Sequence, residues 1–250
     1  MELKDFFWEN PKVALAFSGG VDSAFLLWAA KQYGAQVKAY YVKTAFQPQF
    51  EYEDALHLAK QLGADMVTLE VDVLQQEPIV SNPANRCYAC KRCLMQAIRE
   101  AAKKDGFSML IDGTNASDDA ADRPGMQALQ EENVRSPLRE CGWTKTKIRK
   151  ASKEAGLFTH NKPAYACLAT RIPTGTPITE KDLQRTERSE EYLRQLGFSN
   201  FRIRLMGNSA KLQLTQRDMP LLLQYQNQIV EQLRKDYTEV LLDMEVRHES

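Results

Sequence analysis

The sequence has no surplus of either charge: 33 lysines and arginines stand against 33 aspartates and glutamates in 250 residues. Surfaces that track a nucleic-acid backbone usually leave a basic excess, so this balance argues against a large nucleic acid as substrate. There is no apolar run long enough to span a bilayer. The opening Met-Glu-Leu-Lys-Asp-Phe-Phe-Trp-Glu-Asn has no basic stretch leading into an apolar core, so no secretory signal is read and the expected compartment is the cytoplasm. Internal repeats and low-complexity segments are missing too. His57, His160 and His248 lack ligand spacing and read as bystanders. No Gly-Lys-Ser/Thr completes a Walker A loop, and no Gly-x-Gly-x-x-Gly marks a dinucleotide turn. Cysteines number only five, and in a reducing compartment they read as thiols or metal ligands rather than disulfides.

What is present begins at Ser18-Gly-Gly-Val-Asp-Ser23. An apolar run at 13–17 precedes it and a helical pattern at 24–30 follows, so a strand, a tight turn and a helix start come in succession. Free N–H groups and the positive end of the helix dipole converge at such a junction, where a phosphate can sit. Gly19 and Gly20 let the main chain approach the anion, and Ser18 and Ser23 offer hydroxyls. The segment resembles the PP-loop of the ATP pyrophosphatase superfamily, whose members split ATP to AMP and pyrophosphate. ATP is therefore the expected nucleotide.

Strand and helix patterns alternate from residue 12 to about 157. Strands are expected at 37–42, 66–73, 107–111 and 134–138, and helices at 52–62, 90–103 and 145–155. Repeated βα units imply an α/β fold with a doubly wound parallel sheet, whose ligands sit at the carboxyl ends of strands. Both the 18–23 turn and Asp112-Gly113-Thr114-Asn115 fall there. A Pro/Gly/Thr-rich stretch at 171–178 reads as a linker. An αββαβ order follows it, a small α+β domain. The expected division is 1–170, linker 171–178, and 179–250, the last docking on the first domain or on another subunit.

Cys87-Tyr88-Ala89-Cys90-Lys91-Arg92-Cys93 is the second informative segment, with Cys167 far off in sequence. Thiolates two residues apart can share one metal centre, so the spacing permits zinc, an iron–sulfur cluster or a redox pair, as well as a buried inert set. Cys141 has no sequence partner and reads as structural.

Several segments together resemble the LarE-type enzymes, PP-loop sulfur transferases of nickel-pincer nucleotide biosynthesis that serve lactate racemase maturation. They are Ser18-Gly-Gly-Val-Asp-Ser23, Asn85-Arg-Cys-Tyr-Ala-Cys-Lys91, Asp112-Gly-Thr-Asn-Ala-Ser-Asp-Asp119, Arg135-Ser-Pro-Leu138, Lys162-Pro-Ala-Tyr-Ala-Cys-Leu-Ala-Thr-Arg-Ile-Pro173 and Phe201-Arg-Ile-Arg204. The resemblance implies the PP-loop (adenine nucleotide alpha hydrolase-like) fold. It also implies adenylylation of a carboxylate of pyridinium-3,5-biscarboxylic acid mononucleotide, followed by displacement of AMP by sulfur, since AMP is the better leaving group. In some members the cysteine matching Cys167 gives up its own sulfur. In others three cysteines hold a [4Fe-4S] cluster that delivers sulfide, and Cys87, Cys90 and Cys167 match that form. Cys93 is expected to be a non-ligand, because a fourth thiolate would close the cluster.

On the nucleotide side the resemblance assigns Ser18, Gly19, Gly20, Asp22 and Ser23 to the pyrophosphate, Asp22 also to Mg2+. Thr44 is expected near the adenine, and Gly113 is expected to let a strand end approach the nucleotide. Arg171 is expected to steady the acyl-adenylate. Arg202 and Arg204, which alternate with Phe201, Ile203 and Leu205 and so share one side of a strand, are expected to hold substrate anions, with Glu190 beside them or, one position on, Glu191. Gln213 stands where an acidic residue is expected. Asp118 and Asp119 read first as loop-solvating charges, with a metal role as the alternative. The implied partners are sulfide or another sulfur donor and further copies of the chain, up to a hexamer. The competing readings are a PP-loop tRNA thiolase, an amidotransferase-like synthetase that leaves the cysteines without a purpose, and a non-catalytic ATP-binding iron–sulfur sensor.

Overall fold

Strands that are apolar at consecutive positions must be covered on both faces, and the 13–17 run is the first of them. The computed structural model describes residues 1–118 and 124–247. Among them the chain runs α1 (Leu3–Glu9), β1 (Lys12–Ala16), α2 (Val21–Gln32), β2 (Gln36–Lys43), α3 (Gln49–Gln61), β3 (Asp65–Glu70), α4 (Glu77–Val80), α5 (Arg86–Lys104) and β4 (Leu110–Asp112). It continues through α6 (Pro124–Glu131), α7 (Pro137–Glu140), α8 (Lys145–Glu154), α9 (Glu180–Gln195), β5 (Arg202–Met206), β6 (Ser209–Gln213), α10 (Met219–Leu233) and β7 (Glu239–Leu242). Asp119 and His248 lie outside the described residues.

The chain divides into two units, one of 1–73 with 85–162, the other of 74–84 with 163–250. The first carries a parallel sheet of order β3-β2-β1-β4, in which Leu15 stands between Ala39 and Ile111. The pleat sends Val13 and Leu15 to one face, against α1, α2 and Ile148 of α8. Ala14, Tyr40 and Leu110 go to the other, against Met95, Ile98 and Ala102 of α5. This is the α/β architecture expected. The strand expected at 66–73 ends at Glu70, and the one expected at 107–111 is the three residues of β4. Two further elements differ more. The strand at 134–138 shrinks to a single bridge, Ile111 to Arg135, because Pro137 has no N–H for a ladder and instead opens α7. Helix α5 begins at Arg86 rather than at Cys90, so Cys87, Cys90 and Cys93 all stand on one helix.

The second unit holds a sheet of order β5-β6-β7, with β5 and β6 antiparallel and β7 parallel to β6 after the α10 crossover. Thr179 caps α9 by accepting the Asp182 N–H at 3.1 Å. The 171–178 stretch is not a loose tether. The Asn82 side-chain amide donates to the carbonyls of Pro173 at 2.8 Å and Thr176 at 3.0 Å, and the Gly175 N–H donates to the Asn82 carbonyl at 2.8 Å. The chain therefore changes unit at 162–163, ahead of the expected linker, and Cys167 and Arg171 belong to the second unit. No helix among the described residues is long and apolar enough to cross a membrane.

Candidate active site

The 18–23 turn joins β1 to α2 at the carboxyl edge of the sheet. Gly19 takes φ +72°, a conformation glycine adopts without strain, and a Cβ there would lie 2.9 Å from the Ala55 Cβ. The turn is tied by its hydroxyls: Ser18 Oγ and Ser23 Oγ are 3.1 Å apart, the Ser18 N–H donates to Ser23 Oγ at 3.3 Å, and Ser23 Oγ donates to the Gly20 carbonyl at 3.2 Å. The N–H groups of the first turn of α2 precede any helical acceptor and point at the same space.

Asp22 lies in that first turn. Its Oδ2 is paired with Lys145 Nζ at 2.5 Å, whereas its Oδ1 is buried with no hydrogen-bond partner among the described residues. Burial pushes the Asp22 carboxyl up, and the Lys145 hydrogen bond and charge pull against it. A buried carboxylate oxygen with no donor is what a hard divalent cation takes, so the residues present fit Mg2+.

Gly113 follows β4 and packs on α2: a Cβ there would lie 2.8 Å from the Ser23 backbone nitrogen and 3.1 Å from its Cα. The absent side chain thus admits the helix start rather than, in the first instance, the nucleotide. Asp112, the last residue of β4, accepts from Thr114 Oγ1 at 2.6 Å and from Ser136 Oγ at 2.7 Å, with Lys91 Nζ at 4.0 Å. The loop beyond it is held by Asp118 Oδ2, which accepts the Asn115 N–H at 3.0 Å, and by Ser117 Oγ, which accepts the Lys145 N–H at 2.9 Å. Thr44, at the end of β2, is buried; its hydroxyl donates to Gln47 Oε1 at 2.7 Å and accepts the Phe46 N–H at 3.0 Å. The expected nucleotide residues thus gather at the carboxyl ends of β1, β2 and β4.

Cys87 is exposed and Cys90 half-buried, and three residues on a helix set their sulfurs about one turn apart. Arg86 Nη2 lies 3.7 Å from Cys87 Sγ, a cation beside a candidate ligand sulfur. Burial pushes the Cys93 thiol up, which favours the protonated form over a ligand thiolate. Among the described residues no group of three metal-ligating side chains is already assembled. Cys87 and Cys90 belong to the first unit and Cys167 to the second.

In the second unit Arg171 and Glu190 are each 1% exposed and pair as a fork: Nε to Oε1 at 2.7 Å, Nη2 to Oε2 at 3.0 Å. Glu190 Oε1 also accepts the Ile203 N–H at 3.0 Å, and Oε2 the Tyr165 hydroxyl at 2.5 Å. Each carboxylate oxygen therefore accepts two bonds, and Glu190 positions its neighbours rather than presenting a lone pair to a substrate. Burial works against the Arg171 charge, but the Glu190 hydrogen bonds and charge outweigh it. Arg202 and Arg204 do share one side of β5, and both reach the segment that carries Cys167: Arg202 Nη2 donates to the Ala164 carbonyl at 2.8 Å, Arg204 Nη1 to the Thr170 carbonyl at 2.6 Å. Burial, with Arg171 and Arg247 close by, lowers the Arg202 pKa to about 10. Arg247 is lowered by burial, Arg171 and Arg204, and its Nε is buried without a hydrogen-bond partner among the described residues. Arg171, Arg202 and Arg247 thus feel one carboxylate that is already fully used, with Arg204 acting on Arg247, an environment that calls for an anion. At Gln213 the amide accepts from Arg204 Nε at 2.8 Å and donates to Asp243 Oδ2 at 2.8 Å, so the acidic group stands one strand further on.

Lys145 and Arg247 escaped sequence reading, and Tyr165 figures in it only as part of a motif. Neither of the first two lies in a dense motif with its partner; the Lys145–Asp22 pair spans 123 positions and exists only through the sheet topology.

Comparison with known proteins covers both units. The family profile of queuosine biosynthesis protein QueC matches residues 12–82, the region of the Gly-Gly turn. An uncharacterised protein of Synechocystis sp. is 37% identical over 85% of this chain and 80% of its own length. The pyridinium-3,5-bisthiocarboxylic acid mononucleotide synthase of Lactiplantibacillus plantarum is 30% identical over 93% of this chain and 86% of its own length. The chain belongs to the PP-loop sulfur transferase family. A tRNA-specific 2-thiouridylase of Clostridium botulinum is 27% identical over 60% of this PP-loop sulfur transferase and 52% of its own length. As a PP-loop sulfur transferase the chain is an ATP-using enzyme of sulfur transfer, and membership of the family implies ATP and Mg2+ binding.

Proposed function

We propose that this enzyme adenylylates a carboxylate of pyridinium-3,5-biscarboxylic acid mononucleotide and replaces the AMP with sulfur, a step of nickel-pincer nucleotide biosynthesis. The observation that carries the reading is the arginine cluster of the second unit, together with a likeness to the mononucleotide synthase that extends over 93% of the chain and so includes that unit. A substrate with one phosphate and two carboxylates suits Arg202 and Arg204, with Arg171 held rigid by Glu190. The carboxylate oxygen attacks the α-phosphorus of ATP, and the bond to pyrophosphate breaks. The Ser18–Ser23 turn holds the departing phosphates through its N–H groups and hydroxyls. Asp22 would hold Mg2+, which supplies charge neutralisation there. Cys87, Cys90 and Cys167 are the thiolates for a [4Fe-4S] cluster, which would supply the sulfur.

Anaerobic purification with iron and sulfide analysis, followed by mass measurement after turnover, tests this reading. The expected result is about four irons per chain, lost in Cys87→Ala and Cys90→Ala and kept in Cys93→Ala, with pyrophosphate release dependent on the pyridinium substrate. Loss of one sulfur from Cys167 per turnover would replace the cluster with sacrifice. Pyrophosphate release that depends on tRNA instead would move the enzyme to the thiolase reading, which the partial likeness to a 2-thiouridylase supports.

A further inference from the structure

Lys145 is the one cation hydrogen-bonded to the Asp22 carboxylate among the described residues, and it comes from the first residue of a helix that the phosphate turn does not include. Three observations bear on its purpose. It holds only Oδ2 of Asp22, and the buried Oδ1 is left without a partner. Both side chains keep some exposure, 34% for Lys145 and 22% for Asp22, so an incoming ligand can reach the pair. The Lys145 main chain is fixed independently, its N–H donating to Ser117 Oγ at 2.9 Å and Thr144 capping the helix. The ammonium can therefore swing while its helix stays put.

We infer that Lys145 is a placeholder for Mg2+ on Asp22 and, once the cation takes that carboxylate, a ligand to the pyrophosphate of ATP. The inference rests on the ATP-dependent reading above and assigns a catalytic residue to it. With the cation bound, Asp22 no longer needs a counter-ion, and the freed ammonium lies beside the turn that cradles the β and γ phosphates. As the carboxylate oxygen bonds to the α-phosphorus, the electron pair of the breaking bond leaves on the pyrophosphate oxygen. Lys145 stays protonated throughout and donates hydrogen bonds to that developing charge. Without metal, the same ammonium supplies the larger share of the positive charge that offsets Asp118 at the half-buried Asp22. Arg149, whose Nη1 and Nη2 donate to the carbonyls of His160 and Lys162, adds only the weaker effect of its charge at Asp22 and no hydrogen bond.

Mn2+ binding followed by electron paramagnetic resonance, with and without α,β-methylene-ATP, and pyrophosphate release are measured on wild type, Lys145→Met, Lys145→Arg and Asp22→Asn. In Lys145→Met, Mn2+ binding without nucleotide is expected to tighten several-fold, because Asp22 is no longer occupied, while pyrophosphate release falls about 100-fold. Lys145→Arg is expected to recover most of the release, and in the Asp22→Asn background the gain in Mn2+ affinity is expected to vanish. Unchanged or weaker Mn2+ binding in Lys145→Met, or release within about twofold of wild type, overturns the inference. A wild type that binds Mn2+ and nucleotide yet releases no pyrophosphate overturns the functional reading instead, and the Mn2+ comparison still decides the role of Lys145.

Discussion

Two residues show how little a residue's type says about its duty without its surroundings. Gly113 is needed because the backbone of Ser23 occupies the place a side chain would take, 2.8 Å from a Cβ. Neither main chain can yield, so Gly113→Ala is expected to cost about 1–3 kcal/mol in urea unfolding and to weaken ATP binding by displacing the first turn of α2. Glu190 is the converse. It has the type of a catalytic acid, yet its four accepted hydrogen bonds make it the anchor of Arg171, Tyr165 and β5. Glu190→Ala leaves a buried guanidinium without its partner and is expected to cost about 3–5 kcal/mol in unfolding free energy. Loss of activity with unaltered unfolding would instead mark Glu190 as a participant in the chemistry.

At the scale of elements, whatever is contiguous could be read. The strand, turn and helix around 18–23 come in the expected succession, with β1 at 12–16 and α2 starting at Val21 inside the turn, and the αββαβ order of the second unit is the observed one. The failures have physical causes. The carbonyl of Asn85 accepts the Tyr88 and Ala89 N–H groups and so starts α5 a turn earlier than the apolar spacing indicates. The segment at 134–138 is apolar enough for a strand, but proline stops the ladder after one bridge. What holds that segment instead is Arg135, paired with Glu140 and with the Ser136 N–H on the same carboxylate. The Arg135 hydrogen bond, helped by the Ser136 N–H, holds Glu140 below the usual glutamate range against the opposing effect of burial. A depressed carboxyl contributes stability that is present above its unfolded pKa and lost as pH falls through the folded one. Wild type is therefore expected to lose stability between pH 5 and the acid limb more steeply than Arg135→Met in denaturant titrations at successive pH values. Parallel curves would show the pair to be inconsequential.

For the molecule as a whole, the instructive residue is Asn82. It sits at φ +56°, which asparagine tolerates better than most residues, and its amide fastens the carbonyls of Pro173 and Thr176. The Pro/Gly/Thr composition of 171–178 looks like a tether because the local sequence cannot show a donor some 90 positions away. Asn82→Ala removes those bonds and strains the backbone, and about 2 kcal/mol or more of stability is expected to go with them. Faster proteolytic nicking within 171–178 is the accompanying sign; an unchanged cleavage pattern would mean that the other contacts of the stretch suffice. Asn82→Gly, comfortable at that φ, isolates the share of the amide.

The excursion at 74–84 has a bearing on how the chain is made. Those residues leave the ribosome early, yet the carbonyls that Asn82 fastens are synthesised some ninety positions later. The nascent protein must carry this segment unfastened while the parallel sheet of the first unit is already completing, and only translation of the carboxyl-terminal part gives it a home. A truncated product ending near 162 would therefore expose it permanently, which makes such a fragment a ready target for quality-control proteases.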